Sequence, residues 1–486
     1  MAKLHDLSAV EQRAALEKGE VSPLELTEHY LERIDQLNPK LHALTTTTAE
    51  AALQKAKEQS EVPSPSRADA PLWGIPFADK DLDDRAGVRT TYGSRAFETY
   101  IPETSSPIVQ DMDRAGGISV GKTNVPEFGF PAYSKNLLPG GYARNAWNPD
   151  LDAGGSSSGA AVSVAARMLP LAPGNDAGGS VRIPAAANGL IGLKTSRGRV
   201  PGMSGINALA GLGVAGPIAR TINDTALLLD GMMKGPNRFA LRAPMPPNMP
   251  ESGSFLDAVQ LPPAKLKIGW NTWSPWAPDY EINVDPQVHQ VFEQTLELAE
   301  VLGHEVHEMT PTAFPDYVDY FRAVWMGGAA GLPLPDEALE YVEPLTAWLV
   351  RTGRACPAAQ LPVALGALAQ FESQIIADYA PYDLVVTPAL AMTPRPQDWF
   401  DQTDGNLNFV QQCQYTPFTS YVNVAGLPAI SLPVGQGKSE FDGETVPIGI
   451  QAIGRPGDEL TLLRFGKELE EQIHWEDHIP KAAQES

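Results

Sequence analysis

The chain has 486 residues, 43% hydrophobic and 20% charged, which is ordinary for a soluble globular protein and enough for one large core. Its formal charge of −23 disfavours nucleic acid as a partner, because nucleic-acid binders need clustered Lys and Arg to displace counterions. Its two cysteines imply no disulfide framework, and no apolar run has the length of a leader or membrane span, so we expect a cytoplasmic protein with no membrane contact.

The first 70 residues are predicted to form a helical flank packed on the rest of the chain. Three helices with amphipathic spacing are predicted in this flank: Ser8–Lys18, Ser22–Leu37 and Thr48–Gln59. The second begins with S-P-L-E, in which Ser22 can cap the helix and Glu25 can complete a capping box. We expect Asn38-Pro39 to end it, since proline interrupts a helix.

Residues 71–486 are predicted to form a single large α/β domain. Short apolar runs punctuated by Gly and Pro predict buried strands joined by loops and helices. Leu266–Met309 has the pattern of a strand, a helix and a second strand. We expect the Pro-rich stretch 236–263 to be an excursion from the fold, and 314–379 to be a helical region that contributes to a pocket.

The stretch from Ala153 to Ser180 holds two serines in glycine-rich settings. Ser156 stands in A-G-G-S-S-S-G-A, and Ser180 stands in G-N-D-A-G-G-S-V-R-I-P. Glycine-flanked serine suits acyl transfer, because backbone N–H groups can approach a reacting carbonyl where no Cβ blocks them. None of the histidines stands in the glycine- or acid-rich setting of a serine–histidine triad, so the chemistry requires another base.

A buried, neutral lysine can act as that base. Lys80 follows the apolar run L-W-G-I-P-F, and burial lowers the pKa of a lysine. Judged by its neighbours alone, Lys80 is expected instead to form a salt bridge with Asp79, Asp81 or Asp83.

Three short motifs resemble those of other enzyme classes. Gly116–Thr123 matches the phosphate-loop pattern, but a predicted helix precedes it and Pro126 would break a helix after it. Ser119–Lys122 matches S-x-x-K without a K-T-G, and Gly155–Gly159 matches G-x-S-x-G without an apolar strand upstream. We therefore expect neither nucleotide binding nor either of the other two chemistries.

The serine stretch and several further segments resemble the amidase signature family, serine amidohydrolases with a Ser–cis-Ser–Lys triad. The matching segments occur in family order along the chain: G-I-P-F-A-D-K-D, G-K-T-N-V-P-E-F-G, R-N-A-W-N-P, G-L-I-G-L-K-T-S-R-G-R-V and V-N-V-A-G-L-P-A-I-S-L-P-V-G. The resemblance implies the amidase signature fold, a large twisted mixed β-sheet covered by helices on both faces.

The resemblance also assigns the catalytic roles. It implies that Ser180 is the nucleophile, that Ser156 follows a cis peptide from Gly155 and relays the proton, and that Lys80 is the base. The chain departs from the family's usual G-G-S-S-G-G-S by placing Ser158 at a glycine position.

The loop around Ser180 and three pocket residues complete the predicted site. The backbone N–H groups that the resemblance assigns to the oxyanion hole belong to Ala177, Gly178, Gly179 and Ser180. Asp176 and Arg182 are expected to hold this loop as an ion pair. Phe130, Tyr133 and Gly155 are predicted to bind substrate. No metal and no cofactor is expected.

The implied function is hydrolysis of carbon–nitrogen amide bonds through a seryl acyl-enzyme. The substrates predicted are small amides, anilides, carbamates or amide oligomers, and the N-D-A-G-G-S loop resembles the branch with 6-aminohexanoate cyclic-dimer hydrolases. The alternative is a transamidation component like the glutamine-hydrolysing part of a tRNA-dependent amidotransferase. The usual S-L-D-Q-I-G-P of that branch is replaced here by A-L-A-G-L-G-V-A-G-P, which disfavours the alternative. Assembly as a homodimer is left open.

Overall fold

The structure, a computed structural model, describes residues 3–200, 209–235, 243–261 and 263–484. In this part of the chain no helix combines the length and the apolar character needed to cross a membrane. The predicted excursion 236–263 falls partly outside these ranges. Its described part includes a short helix that Ser254 caps by accepting a hydrogen bond from the N–H of Asp257.

Two β-sheets are formed by the described residues. The smaller has three strands in the order β1-β3-β2: β1 (Leu44–Thr47), β2 (Pro76–Lys80) and β3 (Ile118–Thr123). The larger has eight strands in the order β4-β6-β5-β10-β11-β9-β7-β8: β4 (Leu171–Asp176), β5 (Ile191–Lys194), β6 (Val214–Ala219), β7 (Lys267–Trp270), β8 (Glu305–Glu308), β9 (Leu384–Pro388), β10 (Ala429–Lys438) and β11 (Thr445–Gly454). Both sheets mix parallel and antiparallel pairs.

The helices surround these sheets. In chain order they are α1 (Ala9–Lys18), α2 (Pro23–Leu41), α3 (Ala49–Ser60), α4 (Pro107–Arg114), α5 (Ser158–Ala165), α6 (Arg182–Asn188), α7 (Ile222–Met232), α8 (Phe255–Ala258), α9 (Pro286–Val301), α10 (Tyr317–Ala330), α11 (Pro344–Ala355), α12 (Gln360–Tyr379), α13 (Gly405–Tyr415), α14 (Ser420–Val424), α15 (Glu459–Ile473) and α16 (Lys481–Gln484). The large mixed sheet with its helices confirms the predicted α/β class. The predicted strand–helix–strand unit is also confirmed as β7, α9 and β8, with the two strands parallel.

The N-terminal segment is not purely helical, contrary to prediction. Strand β1 lies within the first 70 residues and pairs antiparallel with β3, while β3 pairs parallel with β2. This segment therefore completes the sheet that carries Lys80. The division of the chain at residue 70 stays a prediction.

Helix α2 continues past Pro39, so the predicted end at Asn38 is wrong. Pro39 lies in the last turn, where its missing N–H removes a single helical hydrogen bond. Leu37 and Leu41 are buried, and that packing favours the extra turn. His42 then ends the helix in the left-handed conformation, and its N–H donates to the carbonyl of Asn38 at 2.8 Å.

The stretch resembling a phosphate loop is part of a β-strand. Strand β3 runs through Lys122 and Thr123, where a phosphate loop would begin a helix. The side chain of Lys122 is buried, lies 3.7 Å from the carboxylate of Asp81 and donates to Thr90 Oγ1 at 3.0 Å. Lys122 is thus committed to internal contacts.

Candidate active site

Lys80 is the last residue of β2, and its side chain is fully buried. The alternation of side chains along a strand does not explain this burial, because all five residues of β2 are buried. Strand β2 of the small sheet packs against β4 of the large one, which brings Lys80 next to the serine loops. Its Nζ lies 2.9 Å from Ser156 Oγ and 2.8 Å from Ser157 Oγ.

Burial makes Lys80 a suitable base. It lowers the pKa of the Lys80 amine from 10.5 to about 7, because a charged amine loses its hydration there, although the carboxylates of Asp83 and Asp176 act in the opposite direction. The salt bridge expected from the local sequence is not formed with Asp79, which pairs with Arg85 instead. Burial likewise raises the pKa of Asp83 to about 6.

The peptide bond between Gly155 and Ser156 is cis, as the resemblance implied. Gly129 approaches Ser156 closely: a Cβ at Gly129 would lie 3.1 Å from Ser156 Oγ. The unusual Ser158 fits as the first residue of α5, where its hydroxyl donates to the carbonyl of Asn124 at 3.3 Å.

Ser180 lies on the loop that joins β4 to α6. Its carbonyl accepts a hydrogen bond from the N–H of Ser157 at 3.1 Å, which connects the two serine loops. Within the described ranges its hydroxyl makes no hydrogen bond, so the relay from Ser180 to Ser156 stays a prediction. Ser180 lines the cavity described below, where a substrate carbonyl can reach it.

The predicted oxyanion hole is smaller than expected. The N–H of Gly179 donates to Asp176 Oδ1 at 2.8 Å, so that group is already committed and its assignment to the hole is corrected. No described residue accepts a hydrogen bond from the N–H groups of Ala177, Gly178 or Ser180. The N–H groups of Ala177, Gly178 and Ser180 stay the predicted donors of the oxyanion hole.

Asp176 and Arg182 form the ion pair predicted from the sequence, with an Nη2–Oδ1 distance of 2.9 Å and both side chains buried. Burial alone would raise the pKa of Asp176, but the Arg182 guanidinium outweighs it and holds that pKa well below its usual range. Arg182 also donates to the Thr419 carbonyl at 3.0 Å and to Asn423 Oδ1 at 2.6 Å. The pair thus joins the Ser180 loop to α14 and the residue before it.

A cavity of about 50 Å³ opens beside Ser180. Its walls come from five regions that are distant in sequence: Phe130, Pro131 and Ala132; Gly178, Ser180 and Ile183; Trp276; Phe321 and Trp325; and Phe409, Gln412, Cys413, Thr416 and Ser420. Trp325 stacks on Phe321 at a ring separation of 5.5 Å and meets Phe130 edge-on at 5.7 Å. Aromatic rings therefore form much of the wall.

Of the three residues predicted to bind substrate, only Phe130 lines this cavity. Tyr133 is a core residue, 1% exposed, whose ring packs on Phe400 at 4.6 Å and whose hydroxyl accepts from Asn408 at 3.1 Å. Gly155 lies against the backbone of Pro131 and Tyr133, with its N–H donating to the Ala132 carbonyl at 2.8 Å. Both assignments to substrate binding are therefore corrected.

Sequence reasoning missed two parts of the site. Ser157 and Asn175 both contact Lys80. The one sequence signal for these contacts is that each residue lies next to a predicted site residue, Ser156 or Asp176. The cavity also extends beyond the predicted region 314–379, to Trp276 and to α13. An apolar side chain on a helix looks the same in sequence whether it faces a core or a cavity.

Known proteins resemble this chain over nearly its whole length. The sequence profile of the Amidase family matches residues 25–463. AmiC of Mycobacterium tuberculosis, an amidase by its name, is 33% identical over 99% of this chain and 98% of its own. A component of the glutamyl-tRNA(Gln) amidotransferase from Halorhodospira halophila is 31% identical over 98% of this chain and 99% of its own.

A solved structure of 6-aminohexanoate cyclic dimer hydrolase matches with a TM-score of 0.86 and 28% identity, covering 99% of this chain and all of that one. These similarities extend over nearly the whole length of the chain, and the profile match includes all three predicted triad positions. The chain therefore belongs to the amidase signature family of amide-hydrolysing enzymes.

Proposed function

We propose that this protein hydrolyses uncharged amides through a seryl acyl-enzyme, with Ser180 as nucleophile, Ser156 as proton relay and Lys80 as base. The observation that carries the proposal is the 2.9 Å contact between Lys80 Nζ and Ser156 Oγ, made by a fully buried lysine. Such a lysine is neutral in a large fraction of molecules near neutral pH and can accept a proton.

The proton balance of acylation follows from this arrangement. Ser180 Oγ bonds to the amide carbon, its proton passes to Ser156, and the Ser156 proton passes to Lys80. The N–H groups of Ala177, Gly178 and Ser180 itself stabilise the oxyanion. When the carbon–nitrogen bond breaks, the leaving nitrogen takes a proton from Ser156, which Lys80 reprotonates. Water then attacks the acyl-enzyme and loses its proton by the same route.

The cavity favours substrates without charge near the scissile bond. None of its described lining residues is Asp, Glu, Lys or Arg, and burial raises the pKa of the Cys413 thiol so that it stays neutral. The polar groups of Gln412 are engaged within the protein, with Ala132 N–H at 2.8 Å and Asn408 Oδ1 at 2.6 Å. A charged group placed here would lose its hydration without gaining a partner.

This argument separates the two functions considered. Free glutamine carries an ammonium and a carboxylate close to its amide, so its binding in this cavity would be unfavourable. The cyclic dimer of 6-aminohexanoate, the substrate in the name of one relative, has no charge and meets this condition. Anilides and carbamates satisfy the same condition, so a urethanase or nylon-oligomer hydrolase remains the candidate activity.

A turnover panel tests the proposal: a primary amide, an anilide, a carbamate, a cyclic diamide and glutamine, each with the wild type and Ser180→Ala. We expect turnover of uncharged members, little turnover of glutamine, and loss of all activity in Ser180→Ala. A fluorophosphonate label should attach to Ser180, as found by peptide mass spectrometry. Glutamine as the best substrate would overturn the substrate class, and one-tenth of wild-type activity in Ser180→Ala would overturn the nucleophile.

Trp325 provides a variant that alters the cavity and leaves the triad in place. A Cβ at Gly178 would lie 3.6 Å from the indole of Trp325, so this ring borders the oxyanion loop. Trp325→Ala should raise kcat/KM for bulky substrates over small ones by about tenfold. An unchanged ratio would show that substrate does not occupy this cavity.

We further infer that the protein acts in the cytoplasm on small molecules and binds no nucleic acid. The net charge of −23 supports the last point. A homodimer stays a prediction, which light scattering of the purified protein tests.

A further inference from the structure

Four oxygen atoms surround the amine of Lys80, although an amine nitrogen has only three directions left after its bond to Cε. Two are hydroxyl oxygens, those of Ser156 at 2.9 Å and Ser157 at 2.8 Å. The other two belong to Asn175, its carbonyl O at 3.1 Å and its side-chain Oδ1 at 2.6 Å. Hydroxyl groups can donate or accept a hydrogen bond, whereas both Asn175 oxygens can only accept.

We propose that Asn175 is a positioning residue for the reaction: its two oxygens accept both N–H bonds of neutral Lys80 and thereby direct the lone pair toward the serine hydroxyls. This inference rests on the proposed function, in which Lys80 is the base. A neutral amine has two N–H bonds and one lone pair, so using both donors on Asn175 leaves the lone pair for Ser156 or Ser157.

Asp83 determines which end of the Asn175 side chain faces the lysine. Asn175 Nδ2 lies 3.4 Å from Asp83 Oδ2. An ionised carboxylate only accepts hydrogen bonds, so the amide nitrogen turns toward Asp83 and Oδ1 turns toward Lys80. The N–H of Asp83 donates to the carbonyl of Lys80 at 2.9 Å, and this turn keeps the carboxylate near the amine.

The same arrangement accommodates the protonated state. After accepting a proton, Lys80 has three N–H bonds, and these match the two Asn175 oxygens and one serine hydroxyl. The charged groups that face it are the carboxylates of Asp83, in the loop after β2, and Asp176, at the end of β4. Removal of an acceptor should therefore disfavour the ammonium, and addition of a negative charge should favour it.

The test is a profile of kcat/KM against pH for an amide substrate, and in particular its acid limb, the pH range in which kcat/KM rises as Lys80 loses its proton. Asn175→Asp keeps the shape and the acceptor but adds a charge 2.6 Å from the amine, so the limb should move up by one pH unit or more. Above the shifted limb the variant should recover to within tenfold of the wild-type rate. Asn175→Ala lacks the acceptor, so its limb should move down and its plateau should fall at least tenfold at every pH.

A second pair of variants provides the opposite shift with a matched control. Asp83→Asn removes the carboxylate that favours the ammonium but keeps an acceptor for Asn175 Nδ2, so the limb should move to lower pH. Asp84→Asn removes the same charge one residue away, where the carboxylate accepts from Tyr92 and reaches Lys80 only through Asp83, so its limb should move less than that of Asp83→Asn.

An unchanged limb in Asn175→Ala would overturn the proposal, since a purely structural residue lowers the rate without moving the limb. An unchanged limb in Asp83→Asn would overturn the action of the Asp83 carboxylate on the Lys80 amine. These failures are distinct from failure of the proposed function, which Ser180→Ala tests independently by its loss of turnover.

Discussion

Replacement of Lys80 by methionine is the most direct perturbation of the mechanism, because methionine has a similar length and cannot accept a proton. A lysine with the ordinary pKa of 10.5 is neutral in about one molecule in three thousand at pH 7. With the Lys80 pKa lowered to about 7, half of the molecules carry the neutral base at that pH. Burial therefore raises the fraction of molecules with a neutral Lys80 at pH 7 by about a thousandfold.

The wild-type rate should accordingly rise with pH through an acid limb centred near pH 7 and reach a plateau on the alkaline side, since only neutral Lys80 accepts a proton. Lys80→Met should lower kcat/KM for amides by about 10²–10⁴-fold, the usual contribution of a general base. The same substitution should lower kcat/KM less for matched esters, because an ester leaving group depends less on protonation as it departs. The activity that remains in Lys80→Met should vary little with pH over the range of the wild-type acid limb.

Lys194 provides a matched control for this experiment. It is also fully buried, burial likewise lowers its pKa to about 7, and its Nζ donates to the carbonyl of Thr195 at 2.9 Å, away from the serines. Lys194→Met should therefore leave the acid limb in place. The assay is kcat/KM from pH 5 to 10 for an amide and its matched ester, with circular dichroism of each variant. A limb that persists in Lys80→Met, or disappears in Lys194→Met, would refute the reasoning.

Two further predictions concern the packing around the site. Arg182→Met leaves the buried carboxylate of Asp176 without its partner and should lower the free energy of unfolding by about 3–5 kcal/mol in urea titrations. The fold lowers the pKa of Asp176, so its ionised carboxylate adds to the free energy of unfolding above the ordinary pKa of 3.8, and this stabilisation is lost as the pH falls below that value. Arg182→Met should weaken this loss of stability in acid. An equal loss of stability in acid in the wild type and the variant would contradict the prediction. Gly129→Ala should lower kcat, because its Cβ would lie 2.5 Å from Leu82 and 3.1 Å from Ser156 Oγ at a φ of +70°. Gly140→Ala, at a φ of +92° with open space around it, controls for backbone strain and should keep kcat unchanged.

Local patterns determined much of the fold. The capping box of α2, predicted from S-P-L-E, is present with Ser22 and Glu25 bonded reciprocally. The strand–helix–strand unit that ends at β8 was predicted from apolar periodicity and the residues at its helix ends. These features depend on interactions between neighbours in the chain, so the sequence contains the information needed to predict them. The end of α2 was mispredicted because packing of Leu41 outweighs the local cost of Pro39.

The sequence by itself determined the family and the triad candidates, because glycine-rich serine loops and the lysine segment are contiguous motifs. Only the tertiary structure decided what surrounds them. It assigned Tyr133 to the core, committed the N–H of Gly179 to Asp176, and placed Asn175 on Lys80. Tyr133 meets Phe400 and Asn408 from far along the chain, and Asn175 meets Lys80 where the small sheet packs on the large one. The contact between Gly179 and Asp176 is local, but it depends on the conformation that the loop adopts in the fold. Such contacts have no local pattern, since a side chain has the same letter whether it faces a core, a cavity or a catalytic amine.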